Sequence, residues 1–236
     1  MTDGLSPGGP EAFIRANTAI GAARLAPEVK LYLATDITPL WHASEAFLNT
    51  HNIAPPFWAF AWPGAEALAV YLAANPQLVA GKRVLDFAAG CGLAAIICAQ
   101  AAAASVEAAE IDLLACAAIR LNAALNGVTI EVIEGDITGA PCRWDVILCG
   151  DVCYEAPMTR HILPWLRRCA ASALVIIADP GRAYVPKGGQ HELWRGLVPA
   201  SLELEDKTER IVTVFSLLTE TSDMPDRHVD RLVTPD

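Results

Sequence analysis

The chain has no apolar run long enough to cross a bilayer; its most hydrophobic stretch, residues 93–104, is too short. Its first residues, MTDGLSPGGPEAF, lack the apolar core of a signal peptide and the basic pattern of a mitochondrial presequence. The seven cysteines are odd in number, form no CxxC pair and have no His-rich companion at zinc spacing. These absences predict a cytoplasmic protein with reduced thiols, no membrane partner and no metal site.

Basic residues are scarce as well. The chain has 17 Lys and Arg against 27 Asp and Glu, which gives a formal net charge of −10 and a pI of about 4.9. A field of this sign repels phosphate backbones, so nucleic acid is not an expected partner. A positively charged partner, such as a lysine on another protein, fits better.

The 236 residues, 53% of them hydrophobic, are enough for one substantial core. After Gly81, apolar strand-like runs alternate with helical stretches. The pattern predicts strands at 83–88, 105–112, 128–136, 144–151 and 172–180, and helices at 93–104, from 113 through Asn126, and at 157–170. This alternation is typical of a parallel sheet with helices on both faces, in which ligands bind at the carboxyl ends of the strands.

The two ends of the chain have a different pattern. Residues 1–54 are predicted to form an N-terminal extension, with a helix over 13–26 that stops near Pro27 and a strand over 29–34. An aromatic loop at 55–64 and a helix over 66–76 open the main domain, which we place at 55–219. Two strand-like runs within 201–219 predict an antiparallel hairpin, and 220–236 a loose polar tail.

The strongest local signal is VLDFAAGCGL at 84–93, where a strand ends in Asp86 and a turn of small residues leads into a helix. Gly90 and Gly92 allow a ligand to approach the backbone closely, and the helix N-terminus offers free N–H groups to a negative ligand atom. The turn lacks the third glycine of a dinucleotide fingerprint and the GK[ST] of a P-loop. The glycine-rich turn together with Asp86 at the strand end still favours a nucleotide-like ligand of another kind.

Further acids end the next two strands. Glu110 lies 24 residues after Asp86, where a carboxylate can accept hydrogen bonds from both hydroxyls of a ribose. Asp112 is better explained as the cap of the following helix. Asp136, in the GDI segment at 135–137, is a candidate for contact with an adenine amino group.

Taken together, DFAAGCG, Glu110, GDI and the terminal hairpin resemble the Rossmann-like seven-stranded methyltransferases that use S-adenosylmethionine. GDVCYE at 150–155 resembles the Asp-x-x-Tyr motif of their protein-lysine methyltransferase branch. PFWAFAWPGAEAL at 56–68 and ADPGRAYVP at 178–186 are most similar to the electron transfer flavoprotein beta-subunit lysine methyltransferases. The resemblance covers about residues 55–218. It implies a mostly parallel seven-stranded sheet with an antiparallel C-terminal hairpin.

The same resemblance implies the site residues and the partner. Asp151 is expected to capture and orient the lysine, with Tyr154 as a wall of its pocket. The cofactor S-adenosylmethionine is expected to contact Trp62, Asp86, Ala88, Gly90, Gly92, Glu110, Asp136 and Asp151. Ala88 departs from the family, which often has glycine there, and alanine is tolerated if its φ is negative. The expected protein substrate is the beta subunit of electron transfer flavoprotein.

Three alternatives remain at this level. The acceptor could be a ribosomal protein or a small molecule, although the acid in GDVCYE suits a cationic acceptor. The chain could bind the cofactor without turnover, but its turn glycines and strand-end acids are all present. A dinucleotide-dependent oxidoreductase is disfavoured by the form of the turn.

Overall fold

The computed structural model describes residues 8–35, 38, 40, 55–201 and 205–219. Its centre is a seven-stranded sheet in the order β5-β4-β3-β6-β7-β9-β8. The strands are β3 (Arg83–Phe87), β4 (Ser105–Glu110), β5 (Glu131–Glu134), β6 (Val146–Gly150), β7 (Leu174–Asp179), β8 (Gln190–Pro199) and β9 (Glu209–Leu217). Strands β3 to β7 are parallel, whereas β9 runs antiparallel to both β7 and β8. The predicted fold class is confirmed.

The strand order reverses at the middle of the sheet. From β3 the chain winds outward through β4 to β5, then returns to place β6 on the other side of β3. The connecting helices are α3 (Leu93–Gln100), α4 (Leu113–Leu125) and α5 (Ala156–Cys169), and α2 (Pro63–Ala74) precedes the sheet. Parallel sheets of this kind bind ligands where the order reverses, at the carboxyl ends of the strands.

Each strand alternates its side chains between two apolar layers, as the two-residue period of a strand requires. Val84 and Leu148 belong to a core shared with α2 and α3, whereas Leu85 and Ile147 belong to a second core with Trp165 of α5. Helices therefore cover both faces of the sheet. Within the described ranges, no helix is long and apolar enough to cross a membrane. Six of the seven free cysteines are buried, as expected from their apolar surroundings.

The described part of the N-terminal segment forms α1 (Gly9–Asn17), β1 (Ala19–Ala22) and β2 (Lys30–Leu33). The predicted helix over 13–26 is wrong in its second half, because residues 19–22 pair antiparallel with β2 instead. Thr18 Oγ1 donates to the Ile14 carbonyl at 2.6 Å and helps to end the helix. Phe13 and Tyr32 pack in one apolar cluster with residues of α4. The segment 41–54 and the expected tail at 220–236 lie outside the described residues.

A buried asparagine joins this N-terminal segment to the centre of the fold. Asn122 of α4 accepts from the Tyr32 N–H at 2.7 Å and donates to the Cys91 carbonyl at 2.9 Å. It is completely buried, and both ends of its amide are satisfied. The small antiparallel pair β1–β2 is thereby fixed to the glycine-rich turn.

The C-terminal hairpin exists, but its first strand was predicted in the wrong place. It is β8 at 190–199, not a strand within 201–210, and its register with β9 runs from Gln190–Leu217 to Pro199–Glu209. As the edge strand of the sheet, β8 has five exposed residues and only one buried residue, Val198, which gives it a weak hydrophobic signal. Residues 200–208 connect the two strands, which brings Glu205 towards the site.

Candidate active site

The glycine-rich turn joins β3 to α3. Asp86 at the end of β3 is 3% exposed, and its Oδ2 accepts from the Ala95 N–H at 3.0 Å in the first turn of α3. Gly92, with a φ of +77°, is the N-cap residue, and no side chain caps the helix from that position. Asp86 thus satisfies a free N–H of the helix from across the turn. Burial raises the pKa of Asp86 to about 8, against the hydrogen bond from Ala95.

Ala88 has a φ of +55°, so the condition under which alanine would be tolerated here, a negative φ, is not met. The left-handed region costs an L-residue roughly 1–2 kcal/mol, and alanine pays the smallest steric part of that cost among side chains. The turn therefore has the backbone conformation typical of glycine, although alanine occupies it. At Gly90, with a φ of +55°, no atom lies within 4 Å of where a Cβ would be, so the backbone there is open to a ligand.

Glu110 ends β4 and bonds directly to this turn. Its Oε1 accepts from the Gly90 N–H at 2.8 Å, and its Oε2 accepts from the Ile111 N–H at 3.0 Å. Burial raises the pKa of Glu110, while these two backbone bonds oppose the rise. Each oxygen keeps a further lone pair for a hydroxyl donor. As predicted, Asp112 caps α4, accepting from the Leu114 N–H at 2.8 Å.

Asp136 follows β5, at the carboxyl ends of the strands where Glu110 also lies. The N–H of its neighbour Gly135 donates to the Glu110 carbonyl at 2.8 Å. The Asp136 carboxylate is half exposed and already has two partners, the Thr138 N–H at 2.8 Å and His161 Nε2 at 2.7 Å. The hydrogen bonds from Thr138, before those from His161, lower the pKa of Asp136. It remains ionised at neutral pH.

Asp151 follows β6 and has a φ of +56°, a conformation that few non-glycine residues adopt. Its Oδ2 accepts from the Gly64 N–H at 2.5 Å, in the first turn of α2. Its Oδ1 accepts from Arg182 Nε at 3.0 Å and Nη2 at 2.8 Å. Burial raises the pKa of Asp151 to about 6, and Arg182 and then the Gly64 N–H oppose the rise. Strained backbone of this kind is common at functional sites.

A cluster of aromatic side chains lies on the two segments that contain Gly64 and Asp151. The Phe57 ring lies 5.8 Å from both the Trp62 and the Tyr154 rings, and Phe60 lies 5.9 Å from Trp62. Trp62 Nε1 donates to the Phe57 carbonyl at 2.7 Å, which fixes the indole in place. Tyr154 is 42% exposed. Burial, then the charges of Glu155 and Glu110, raises its pKa, so the phenol stays protonated and able to donate.

Three charged residues that meet at Asp151, namely Asp179, Arg182 and Glu205, were not among the predicted site residues. Arg182 bonds to Asp151 and also to Glu205, and Asp179 ends β7 beside them. The ADPGR segment carried a signal for Asp179 and Arg182, because it follows a buried strand. Glu205 had none, since it lies in a connection that was mistaken for a strand. No group of three or more His, Cys, Asp or Glu among the described residues could hold a metal ion.

The predicted residues thus fall into two groups along one edge of the sheet. Gly90 and Glu110 bond to each other, and Asp86 supports the helix that follows the same turn. Trp62, Asp151 and Tyr154 form the second group, joined through the start of α2 and the Phe57 ring. The two groups are near one another because they follow β3 and β6, which are neighbouring strands with Phe87 opposite Cys149.

A seven-stranded sheet with this strand order, a glycine-rich turn after β3 and an acid after β4 define a methyltransferase. Residues 61–150 match the family model for the methyltransferase small domain. The structure is similar to that of an RNA methyltransferase candidate from Pyrococcus horikoshii, with a TM-score of 0.51 at 18% identity, covering 65% of this chain and 83% of that one. This likeness concerns the fold alone.

Curated relatives give the narrower assignment. The chain is 37% identical over 208 residues to the electron transfer flavoprotein beta subunit lysine methyltransferase of Xenopus laevis, covering 85% of this chain and 81% of the relative. It is 36% identical to the Homo sapiens protein of the same description, covering 73% of this chain and 66% of the relative. The chain belongs to the electron transfer flavoprotein beta subunit lysine methyltransferase family.

Proposed function

We propose that the chain transfers a methyl group from S-adenosylmethionine to lysine on the beta subunit of electron transfer flavoprotein. The substrate is the one that the curated relatives carry in their names. The observation that supports a cationic acceptor is the carboxylate of Asp151, which is only 11% exposed. It lies at the carboxyl ends of the strands, as Gly90 and Glu110 do. An acid in such a position selects a positively charged side chain over a neutral one.

The residues around the turn fit the cofactor. Glu110 would accept from both ribose hydroxyls, and Asp136 from the adenine amino group. Gly90 and Gly92, with the N-terminus of α3, would receive the carboxylate of the methionine part, because free N–H groups and open backbone favour an anion there. Trp62 would cover the methionine part, and the backbone of Ala88 would line the turn. Asp86 would act by holding α3 against that turn. Bound S-adenosylmethionine supplies an already activated methyl group on a sulfonium.

The enzyme's own task is to present a neutral amine to that methyl group. Free lysine has a pKa near 10.4, so at pH 7 only about one lysine in 2,500 is neutral, a free-energy cost of roughly 4–5 kcal/mol. Desolvation between Phe57, Trp62 and Tyr154 favours the neutral amine, as does a positive charge nearby. Asp151 favours the ammonium, so its role is to capture and orient the side chain. Tyr154 can then donate to or accept from the amine and hold it in line with the methyl carbon.

The acceptor can be tested with purified flavoprotein beta subunit and, separately, a ribosomal-protein extract. Each is incubated with the enzyme and S-adenosylmethionine, and methylated lysines are mapped by mass spectrometry. We expect methylation of the flavoprotein subunit, and its loss in Asp151→Asn with cofactor affinity kept within a few-fold. Methylation confined to the ribosomal sample would overturn the substrate and keep the enzyme class. Labelling of neither sample would favour a small-molecule acceptor.

A further inference from the structure

Arg182 occupies the place on Asp151 where a substrate ammonium would bind. Both Nε and Nη2 of Arg182 donate to the same oxygen, Asp151 Oδ1, at 3.0 and 2.8 Å. The guanidinium also donates to Glu205, through Nη1 at 3.1 Å and Nη2 at 2.6 Å. Only 11% of the Asp151 side chain and 2% of Glu205 are exposed. A lysine cannot pair fully with Asp151 while the guanidinium stays there.

The charges around Arg182 do not balance. Arg210 is the second cation of the cluster, bonding to Glu205 Oε2 through Nε at 2.9 Å. Against these two guanidiniums stand three carboxylates, those of Asp151, Asp179 and Glu205. With all three ionised, one negative charge is left without a partner. A buried unpaired charge is costly, so the cluster as it stands favours the uptake of one cation.

Among the described residues, Asp179 is the carboxylate of this cluster that has an oxygen without a partner. Asp179 is 2% exposed, and its Oδ1 accepts from the Gly181 N–H at 2.7 Å and the Arg182 N–H at 2.6 Å. Its Oδ2 is buried and has no hydrogen-bond partner in the described part of the chain. Buried polar atoms are nearly always paired in native structures, and exceptions are often functional. Asp179 lies beside Asp151, because the Asp151 N–H bonds to the carbonyl of Ala178 at 3.0 Å.

We propose that Arg182 is a displaceable counter-ion of Asp151: the acceptor lysine takes its place, and the guanidinium, still held by Glu205, turns to Asp179 Oδ2. This inference rests on the proposed function. Arg182 is close enough to Asp179 for its charge to lower the pKa of that carboxyl, although burial raises it more. In the acceptor-bound state the cluster has three cations and three carboxylates. Arg182 and Asp179 are therefore positioning residues for the acceptor.

In this exchange Asp179 acts through its negative charge and not through the turn that its hydrogen bonds shape. In Asp179→Asn the amide oxygen can still accept both turn N–H groups, but the carboxylate that receives Arg182 is gone. We expect KM for the protein acceptor to rise about tenfold or more, the scale of one charge-assisted hydrogen bond. The kcat and the affinity for S-adenosylhomocysteine should stay within about twofold, because neither the cofactor nor the aligned amine contacts Asp179.

The matched control is Asp145→Asn, which removes the same charge from a partly exposed residue. Asp145 pairs with Arg83 at the amino ends of β6 and β3, whereas the site lies at the carboxyl ends. All kinetic constants should therefore be unchanged. If Asp179 only shapes the turn, Asp179→Asn will behave like this control, and the proposal is overturned. If the parent enzyme does not methylate the flavoprotein subunit, the proposed function fails instead, and the same kinetic comparison is made with the acceptor that it does methylate.

The pH profile tests Arg182 separately. The charged groups that face Asp151 are Arg182 and Asp179, with Glu205 behind Arg182. The logarithm of kcat/KM for the protein acceptor should rise with pH at slope two below pH 6, where both Asp151 and the lysine ammonium must lose a proton, and at slope one above it, where only the lysine must. In Arg182→Gln the guanidinium that lowers the pKa of Asp151 is gone, while burial still raises that pKa. The break in the profile should therefore move to higher pH. Arg182→Lys restores a positive charge and should move the break back. An unchanged break in a folded Arg182→Gln enzyme would contradict the assignment.

Discussion

The backbone N–H of Gly64 donates to Asp151 Oδ2 at 2.5 Å and so ties the first turn of α2 to the end of β6. Asp151 therefore caps α2, and not the helix that follows it in the chain. The WPG and GDVCYE segments, 87 residues apart at this contact, form one structural unit. Each of the two motifs supplies one half of this hydrogen bond.

Gly64→Ala should break this unit. A Cβ at Gly64 would lie 2.6 Å from Asp151 Oδ2 and 2.7 Å from the Ala178 carbonyl, too close for either to remain. We expect a loss of about 1–3 kcal/mol in the free energy of unfolding, as for other overpacked sites, and a large loss of methyl transfer. Gly21→Ala is the control, because its Cβ would meet only Leu33 at an ordinary 3.8 Å. Denaturant unfolding gives the stability; equal effects of the two substitutions would contradict the steric argument.

Glu110→Gln should weaken cofactor binding. The amide keeps an oxygen for the Gly90 N–H but removes the charge and one acceptor for the ribose hydroxyls. Losing charge-assisted hydrogen bonds of this kind costs about 1.5–3 kcal/mol, or roughly one to two orders of magnitude in affinity. Calorimetry with S-adenosylhomocysteine measures it. The control Glu134→Gln alters an exposed acid at the end of β5 that pairs with Arg120. Unchanged affinity in folded Glu110→Gln would remove Glu110 from the site.

Asp86→Asn should change how stability depends on pH. The folded protein holds the Asp86 proton up to about pH 8, whereas the unfolded chain releases it near its ordinary pKa. Between these values the folded state binds more protons, so stability falls as pH rises, by up to about 1.4 kcal/mol per pH unit. Asparagine can still accept from the Ala95 N–H but has no proton to lose. Its stability should therefore fall less than that of the parent between pH 6 and 8.

Thermal unfolding across that range measures the difference between the two proteins. Asp145→Asn is again the comparison, because the hydrogen bonds from Arg83 lower the pKa of Asp145, and it is ionised in both states above pH 6. That substitution should leave the slope between pH 6 and 8 unchanged. Parallel curves for the parent and Asp86→Asn would show that Asp86 is already ionised in the folded protein.

The central strands could be predicted from sequence because their residues are buried on both faces. In β3 and β6 four of the five positions are buried, and glycines at or after the strand ends mark where each strand stops. The edge strand β8 could not, because nine of its ten residues are exposed or half-buried and its apolar residues follow no clear two-residue period. Residues 19–22 failed for a different reason, since Ala19, Ile20 and Ala22 continue the apolar spacing of a helix and only pairing with β2 makes them a strand.

The candidate site was predictable where a motif lies at a strand end, and hidden where it depends on tertiary contacts. Asp86, Glu110 and Asp151 each end a buried strand, so the topology alone brings them to one edge. That Gly64 bonds to Asp151, or that Glu205 holds Arg182, follows only from how distant segments pack. Sequence also gave no access to the backbone angle at Ala88, because alanine is usually found at negative φ.

Ala88→Gly offers a test of that angle, with Ala102→Gly as its matched control, because Ala102 has a φ of +59° at the end of α3, away from the site. Glycine relieves the strain of a left-handed alanine but adds freedom to the unfolded chain, so each gain should be at most about 1 kcal/mol. The gain should be smaller at Ala88, whose methyl packs against the core that contains Trp165. Affinity for S-adenosylhomocysteine should stay within about threefold, because the turn already has the glycine-like conformation. A loss of stability in Ala102→Gly would show that the strain is absent, and a large affinity change in Ala88→Gly would show that the methyl itself contacts the cofactor.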